Sequence, residues 1–477
     1  MCTSVMAGPA ATVDHVVLLS RNEDFTRGNW NKYLVHRPLP EYLVPGTPAV
    51  ADGQWTLGNG LVVAAPASGY SYSAMPDAAG STEAAAGIGD HFFFEERGIN
   101  EHNVAISATN SMTTNATAAA ADPFPATGVA ESVIPTLILP QAVSARQAVQ
   151  LLGTYVERSG ASEPNGVLIG DPTECWYLEI GSAHHWIAVR VPDEAYVVVA
   201  NGLRIHDVDL GSDDVLCSPD LFQFVANHGL LDHPDRASFD FAQAFGVLGV
   251  PYNTDRVWLA QHLLTPSLEQ ATRLPQYPLF LKPDAPLDVA TFTRVLRATY
   301  AGTVLEGVAT RPIGYELTAE SHVISLDASQ PAELAGLIWQ AISTPLGAPY
   351  VPLHAAMTDV PASYARGDNS YSAGSAYWAF HGAHALWTLI EKTAPLPTPQ
   401  WWIDLEQASV DEAPLVARML ADAYRLDPAV AVDLARRAST GSAAQAVSQA
   451  LRATADMMTA TAAAVAAKHV EAMACPS

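Results

Sequence analysis

Short apolar runs closed off by turn residues recur through the first half of this chain, and that spacing limits what it can fold into. Residues 104–109, 166–169, 175–180, 185–191 and 196–200 are each rich in Val, Ile, Tyr or Trp and bounded by Gly, Pro, Asp or Asn. This is the pattern of strands, not helices. Helical periodicity is interleaved, over 144–159 with Ser144 as N-cap and Gly160 just past the end, and over 288–300. Residues 119–125, with Asp122, Pro123 and Pro125, read as a surface loop, and the Pro-rich stretch 394–400 reads as a linker. Beyond it, 410–424, 428–438 and 442–472 read as helices. Many short strands, interleaved helices and a helical tail predict an α+β architecture, stacked sheets covered by helices. The linker divides it into a domain over 2–395 and a helical extension over 396–477. No internal repeat is visible.

The extreme N-terminus carries the chemistry. Cysteine at position 2 is small enough for the initiator Met1 to be removed, which leaves Cys2 with an α-amine of reference pKa about 8 beside its own thiol. An amine in that range takes a proton at neutral pH and hands it to a leaving group, and a nucleophile activated by its own N-terminal amine is a known solution to acyl transfer. If 8–14 is a turn, strand 2–7 pairs antiparallel with strand 15–21 and position 2 lies across from about position 21. Arg21 then stands beside the Cys2 sulfur, where a fixed positive charge stabilises a thiolate. Asp24, three residues on, is placed to accept from the α-amine. Taken singly, each of the three is an ordinary residue for its position; together they point to a cysteine nucleophile.

Longer blocks add to this. "MCTSVMAG" followed by "LLSRNED", then "GINEHNVAISATNSMTTN" (98–115), "IGDPTECWYLEIGSAHHWIAVRVPDEAYVVVANGLRI" (169–205), "YNTDRVW" (252–258) and "SAYWAFHGAHALW" (375–387) resemble, in order, the dipeptidase family of N-terminal-nucleophile cysteine hydrolases, relatives of penicillin V acylase and bile salt hydrolase. The resemblance implies an αββα sandwich of two stacked antiparallel sheets and hydrolysis of dipeptides with an unblocked N-terminus. Residue by residue it implies Cys2 as nucleophile and its amine as base, with Arg21 and Asp24 beside the thiol. Asn201 corresponds to the donor to the oxyanion and Arg256 to a second arginine of the acylase relatives. Asn110 stands where the bile salt hydrolases carry another oxyanion donor, whereas many dipeptidases carry Glu; an amide can donate there and a carboxylate cannot. The resemblance requires no cofactor, and the sandwich fold often assembles into homo-oligomers.

The resemblance implies a small peptide substrate, and charge and composition argue against two other classes of partner. With 24 Lys and Arg against 49 Asp and Glu, the net charge is -25, which repels nucleic acid and anionic membrane surfaces. The Ala-rich tract 442–472 is interrupted by Arg452, Asp456, Lys468 and Glu471, short of a bilayer span, and the N-terminus lacks the basic start of a signal peptide. Cys2, Cys175, Cys217 and Cys475 form no Cys-x-x-Cys pair, so they read as reduced thiols of a cytoplasmic protein, with the even count leaving a secreted protein as the alternative.

His381 and His384 share a helix face without a Glu-x-x-His motif, and His184 and His185 begin a strand pointing to opposite faces, so no metal is expected. Gly-x-Ser-x-Gly, the Walker loop and a strand-linked Gly-x-Gly-x-x-Gly are all absent. Two alternatives stay open: a non-peptide amidase on the same machinery, and a non-catalytic binding member of the fold. Comparing dipeptides with N-acyl amino acids separates the first; a retained Met1 favours the second.

Overall fold

The computed structural model describes residues 2–24, 31–38, 50–66, 69–78, 95–108, 111–367, 370–391 and 400–474. Two antiparallel sheets dominate. The first runs, in spatial order, β15 (Phe280–Leu281), β13 (Tyr196–Val199), β1 (Thr3–Ala7), β2 (Val17–Asp24), β16 (Thr318–Leu326), β17 (Gly336–Ile342) and β18 (Val351–His354). The second runs β14 (Val215–Cys217), β12 (Trp186–Arg190), β11 (Cys175–Ile180), β10 (Asn165–Gly170), β9 (Ala105–Ala108), β8 (Glu95–Asn100), β7 (Tyr72–Pro76) and β3 (Val35–Arg37). A small sheet of β4 (Val50–Ala51), β5 (Gln54–Thr56) and β6 (Val62–Ala64) lies apart in the topology.

Side-chain alternation, period two along each strand, shows how these stack. Met6 of β1, Val17 and Leu19 of β2 and Ile324 of β16 share one buried cluster with Leu168 of β10 and Tyr177 of β11. That cluster is the interface between the sheets. The opposite face of the first sheet, with Val5, Leu18, Val198 and Val323, packs on helices α6 (Pro251–Leu264), α7 (Val289–Leu296) and α8 (Ala376–Glu391). The opposite face of the second, with Val167, Ile169, Trp176 and Leu178, packs on α2 (Ile134–Ile138) and α3 (Ala145–Ser159). The layers therefore read helix, sheet, sheet, helix, the α+β sandwich expected. Shorter helices α1 (Ala116–Ala121), α4 (Leu221–Asn227) and α5 (Phe241–Phe245) connect strands.

Local chemistry explains several boundaries. Ser144 accepts from the Gln147 backbone N–H at 3.2 Å and starts α3. Gly160 closes it at φ 72°, a left-handed conformation that suits glycine. Gly153 lies against the Trp186 ring so closely that a Cβ there would stand 2.1 Å from a ring carbon.

Some expectations change. Helix α7 begins after its Asp288 cap as anticipated but ends at Leu296, short of 300. Residues 119–121 are the last turn of α1, not loop. The tail is two helices, α9 (Gln400–Leu426) and α10 (Pro428–Ala474), because no turn interrupts 438–442. Both helices share the core outside the first sheet: Leu405 and Ala443, Ala446, Val447 and Ala450 join its cluster. Ser439 Oγ of α10 accepts from the His354 backbone N–H of the edge strand β18 at 2.9 Å, covering an edge that would otherwise invite pairing. Most of the proposed linker, 392–399, lies outside the described residues.

Candidate active site

Cys2 sits one step before β1, at the middle of the first sheet. The hairpin is offset from the simple estimate. Ser4, not Cys2, pairs with Arg21, and Thr3 pairs with Asn22, because Ala7 pairs with Leu18 and the connection between the strands is longer than the 8–14 turn supposed. On the other side Ser4 pairs with Val199 of β13. Carried on to Cys2, one pair further on the β2 side and two on the β13 side, these registers set it between Glu23 and Asn201.

Arg21 still reaches the sulfur, diagonally. Both residues project into the space between the sheets, and Arg21 Nη2 donates to Cys2 Sγ at 3.0 Å. The guanidinium is wholly buried, and four groups meet its charge: the sulfur, Glu96 of β8, Glu131 Oε1 at 3.2 Å and Glu23 Oε2 at 3.5 Å. Lys32, also buried, pairs with Glu23 and with Asp77 Oδ1 at 3.0 Å. A charge taken out of water this completely persists only with partners at this range.

Electrostatics divides the carboxyl groups. Burial alone would raise Glu96, but Arg21 and Lys32 hold it down at about 2. Burial and the neighbouring Glu96 push Glu131 and Glu23 well above the carboxylate range. Burial lowers Arg21, yet Cys2 and the surrounding carboxylates outweigh it and carry Arg21 higher still.

On the helix-covered side, Arg256 of α6 ties the same corner together. It donates to the Cys2 carbonyl at 2.7 Å, Thr3 Oγ1 at 2.9 Å, Asn201 Oδ1 at 2.9 Å and Asn253 Oδ1 at 3.1 Å. Asn253 Nδ2 in turn donates to the Asn201 carbonyl at 3.0 Å. With Oδ1 held by Arg256, the Asn201 amide is oriented, with Nδ2 as its donor end. Burial, then repulsion from Arg311, lowers Arg256 to about 10, so it remains a cation at neutral pH. Asp24 ends β2, held by Arg311 and by Thr318 of β16. The fold thus gathers Cys2, Arg21, Asp24, Asn201 and Arg256 at one end of the first sheet. Asn110 lies outside the described residues.

Residues the sequence reading passed over complete the corner: Glu23, Lys32, Asp77, Glu96, Glu131, Asn253, Arg311 and Thr318. One signal was present. In "FFFEERGIN" three charges occupy a strand, in a chain only 15% charged. The strand Glu95–Asn100 is buried throughout.

The histidines settle elsewhere. His184 and His185 do not diverge as expected: they lie in the turn before β12, and their Nδ1 atoms meet the two oxygens of Asp122 at 2.8 Å and 2.9 Å. His381 meets Ser343 Oγ at 3.0 Å and His384 meets Glu316 at 2.7 Å. Among the described residues, no three His, Cys, Asp or Glu side chains come together as a metal site.

Comparison with known proteins places this chain among relatives. The model of peptidase family C69 matches residues 1–389. The chain is 32% identical over 398 residues to a probable dipeptidase of Latilactobacillus sakei, covering 81% of this chain and 80% of that one. It is 33% identical over 370 residues to a probable dipeptidase of Salmonella dublin (75% and 81%), and 30% over 418 residues to a dipeptidase of Bifidobacterium longum (79% and 75%). Among solved structures, a mutant conjugated bile acid hydrolase from Clostridium perfringens matches with a TM-score of 0.30 and 13% identity, over 72% of this chain and 89% of that one.

Proposed function

This chain belongs to peptidase family C69 and is a peptide-bond hydrolase, and from that premise we propose that it is a dipeptidase whose nucleophile is the Cys2 thiol, with the Cys2 α-amine as base once Met1 is removed. The observation that carries the reading is the Arg21–Cys2 contact, 3.0 Å long and fully buried, at the strand end where Asn201 and Arg256 also converge.

The reaction follows from those positions. The α-amine takes the thiol proton as Sγ attacks the scissile carbonyl carbon. Asn201 Nδ2, oriented by Arg256, donates to the oxyanion, and Asn110 is assigned as a second donor. Collapse of the tetrahedral intermediate breaks the C–N bond, the amine returns its proton to the leaving amine, and a thioester remains. The same amine then takes a proton from water, hydroxide adds to the thioester, and the released thiolate recovers that proton. Arg21 stabilises the sulfur as an anion at both ends of the cycle, and Asp24 fixes Arg311 against this corner.

We assign residues 2–395 to the hydrolase domain and 396–477 to a helical extension that buttresses it. Among the described residues no helix is long and apolar enough to cross a membrane. With a net charge of -25, a cytoplasmic enzyme acting on small peptides, away from nucleic acid, fits best. The test is intact mass of the purified protein together with dipeptide turnover, in the native sequence and in Cys2→Ala. Loss of Met1 with turnover that disappears in the variant is expected; turnover surviving without the thiol, or activity with Met1 retained, refutes the mechanism.

A further inference from the structure

The buried cluster around Arg21 holds more acid than its cations require. Glu23, Glu96, Glu131 and Asp77 surround only Arg21 and Lys32 in the contacts of this cluster. Glu96 gives Oε2 to Arg21 and shares a hydrogen bond with Glu131. Glu131 lies beside it, and the two carboxyl groups share the spot only by retaining a proton, as the rise in Glu131 indicates. A second cation would meet the same need. Of the four acids, Glu131 is the most exposed, at 6% of its side chain, and so the one nearest to reaching a bound molecule.

The chemistry of a dipeptide supplies such a cation at a fixed place. Its α-ammonium belongs to the residue whose carbonyl is attacked, so bond lengths and angles hold the ammonium nitrogen about 2.5 Å from the scissile carbon. The sulfur approaches that carbon to about 3–3.5 Å. Whatever recognises the ammonium must therefore lie close to Cys2 Sγ. One Arg21 nitrogen touches both the sulfur, at 3.0 Å, and Glu131 Oε1, at 3.2 Å, which puts the carboxyl within that reach.

We propose that Glu131, backed by Glu96, forms the subsite that binds the α-ammonium of the dipeptide and so selects substrates with an unblocked N-terminus. This rests on the dipeptidase reading above. On binding, the ammonium takes the place of the proton shared by the two carboxyls, and that proton leaves to solvent.

The test compares the native sequence, Glu131→Gln and Glu131→Asp on one dipeptide and its N-acetyl form, with the rate of Cys2 alkylation by iodoacetamide as a readout of the nucleophile alone. Loss of a charge-assisted contact predicts that Glu131→Gln lowers kcat/KM on the unblocked dipeptide about 10- to 100-fold, mostly through KM. Discrimination against the acetylated form shrinks, alkylation is not slowed, and Glu131→Asp keeps much of the preference. Unchanged kcat/KM on the unblocked dipeptide overturns the subsite. So does a loss matched by equally slowed alkylation and by an equal loss on the acetylated peptide, since Glu131 would then serve the nucleophile or its amine. A native protein that cleaves no dipeptide overturns the dipeptidase reading and the subsite with it; a native protein that cleaves dipeptides while Glu131→Gln behaves identically overturns the subsite alone.

Discussion

Arg21 is fully buried and held by four partners, and this gives single substitutions at the corner large and distinct effects. Replacing Arg21 by Met keeps volume but leaves Glu23, Glu96 and Glu131 without their shared cation. A loss of about 3–5 kcal/mol in urea-measured stability is expected, along with lost turnover. Asn201→Ala acts differently, because the role proposed for Asn201, whose amide Arg256 orients, is to donate to the oxyanion and not to neutralise buried charge. Its expected effect is a fall in kcat of about 100- to 1000-fold with KM little changed, read from steady-state kinetics. At this scale the sequence pointed to Cys2, Arg21 and Asp24 and, through the family resemblance, to Asn201 and Arg256, and the fold brings all five to one corner. Glu96 and Glu131 were not legible: they come from the second sheet and the segment after it, and only the stacking of the sheets brings them to Arg21.

Elements were legible where local chemistry decides them. Helix α3 was, because Ser144 and Gly160 mark its ends, and so was β11, an apolar run between turn residues. Strands β16 and β17 were not picked out, although β16 lies beside β2 near the centre of the first sheet. Their buried polar residues hide them. Glu320, Ser321 and His322 look like surface positions until Glu320 meets His322 at 3.0 Å and Ser321 meets Asn22 at 2.6 Å. Helix α9 is attached by a similar device. Arg297 donates to both oxygens of Glu406 at 2.7 Å and lies over the Tyr350 and Trp402 rings. Arg297→Ala should therefore cost about 2–3 kcal/mol in urea unfolding, with kcat of the remaining folded enzyme unchanged.

For the whole molecule, the buried carboxyls make stability depend on pH in opposite directions. Burial raises Glu179 to about 7, although Tyr177 and the Arg204 and Ile205 backbone N–H groups donate to it. A raised carboxyl adds stability below its unfolded value of 4.5 and loses it as pH climbs through about 7. Glu96, held at about 2, stabilises above 4.5 and loses that contribution as pH falls through about 2. Glu179→Gln should remove part of the decline between pH 4.5 and 7, by up to about 3 kcal/mol, seen by denaturant titration across that range. A chain ending at residue 399 would expose the apolar face now covered by Leu405, Ala443, Ala446 and Val447, and it is expected to aggregate on expression. What the sequence determined by itself was the layered class, the N-terminal thiol and the motif residues beside it, because strand periodicity, caps and short motifs are local. What the tertiary structure decided was the register that sets Ser4 against Arg21, the acids that meet that arginine and the place of the helical tail. Those depend on which surfaces are buried against each other, and pairing of buried charge is settled only when distant segments exclude water together.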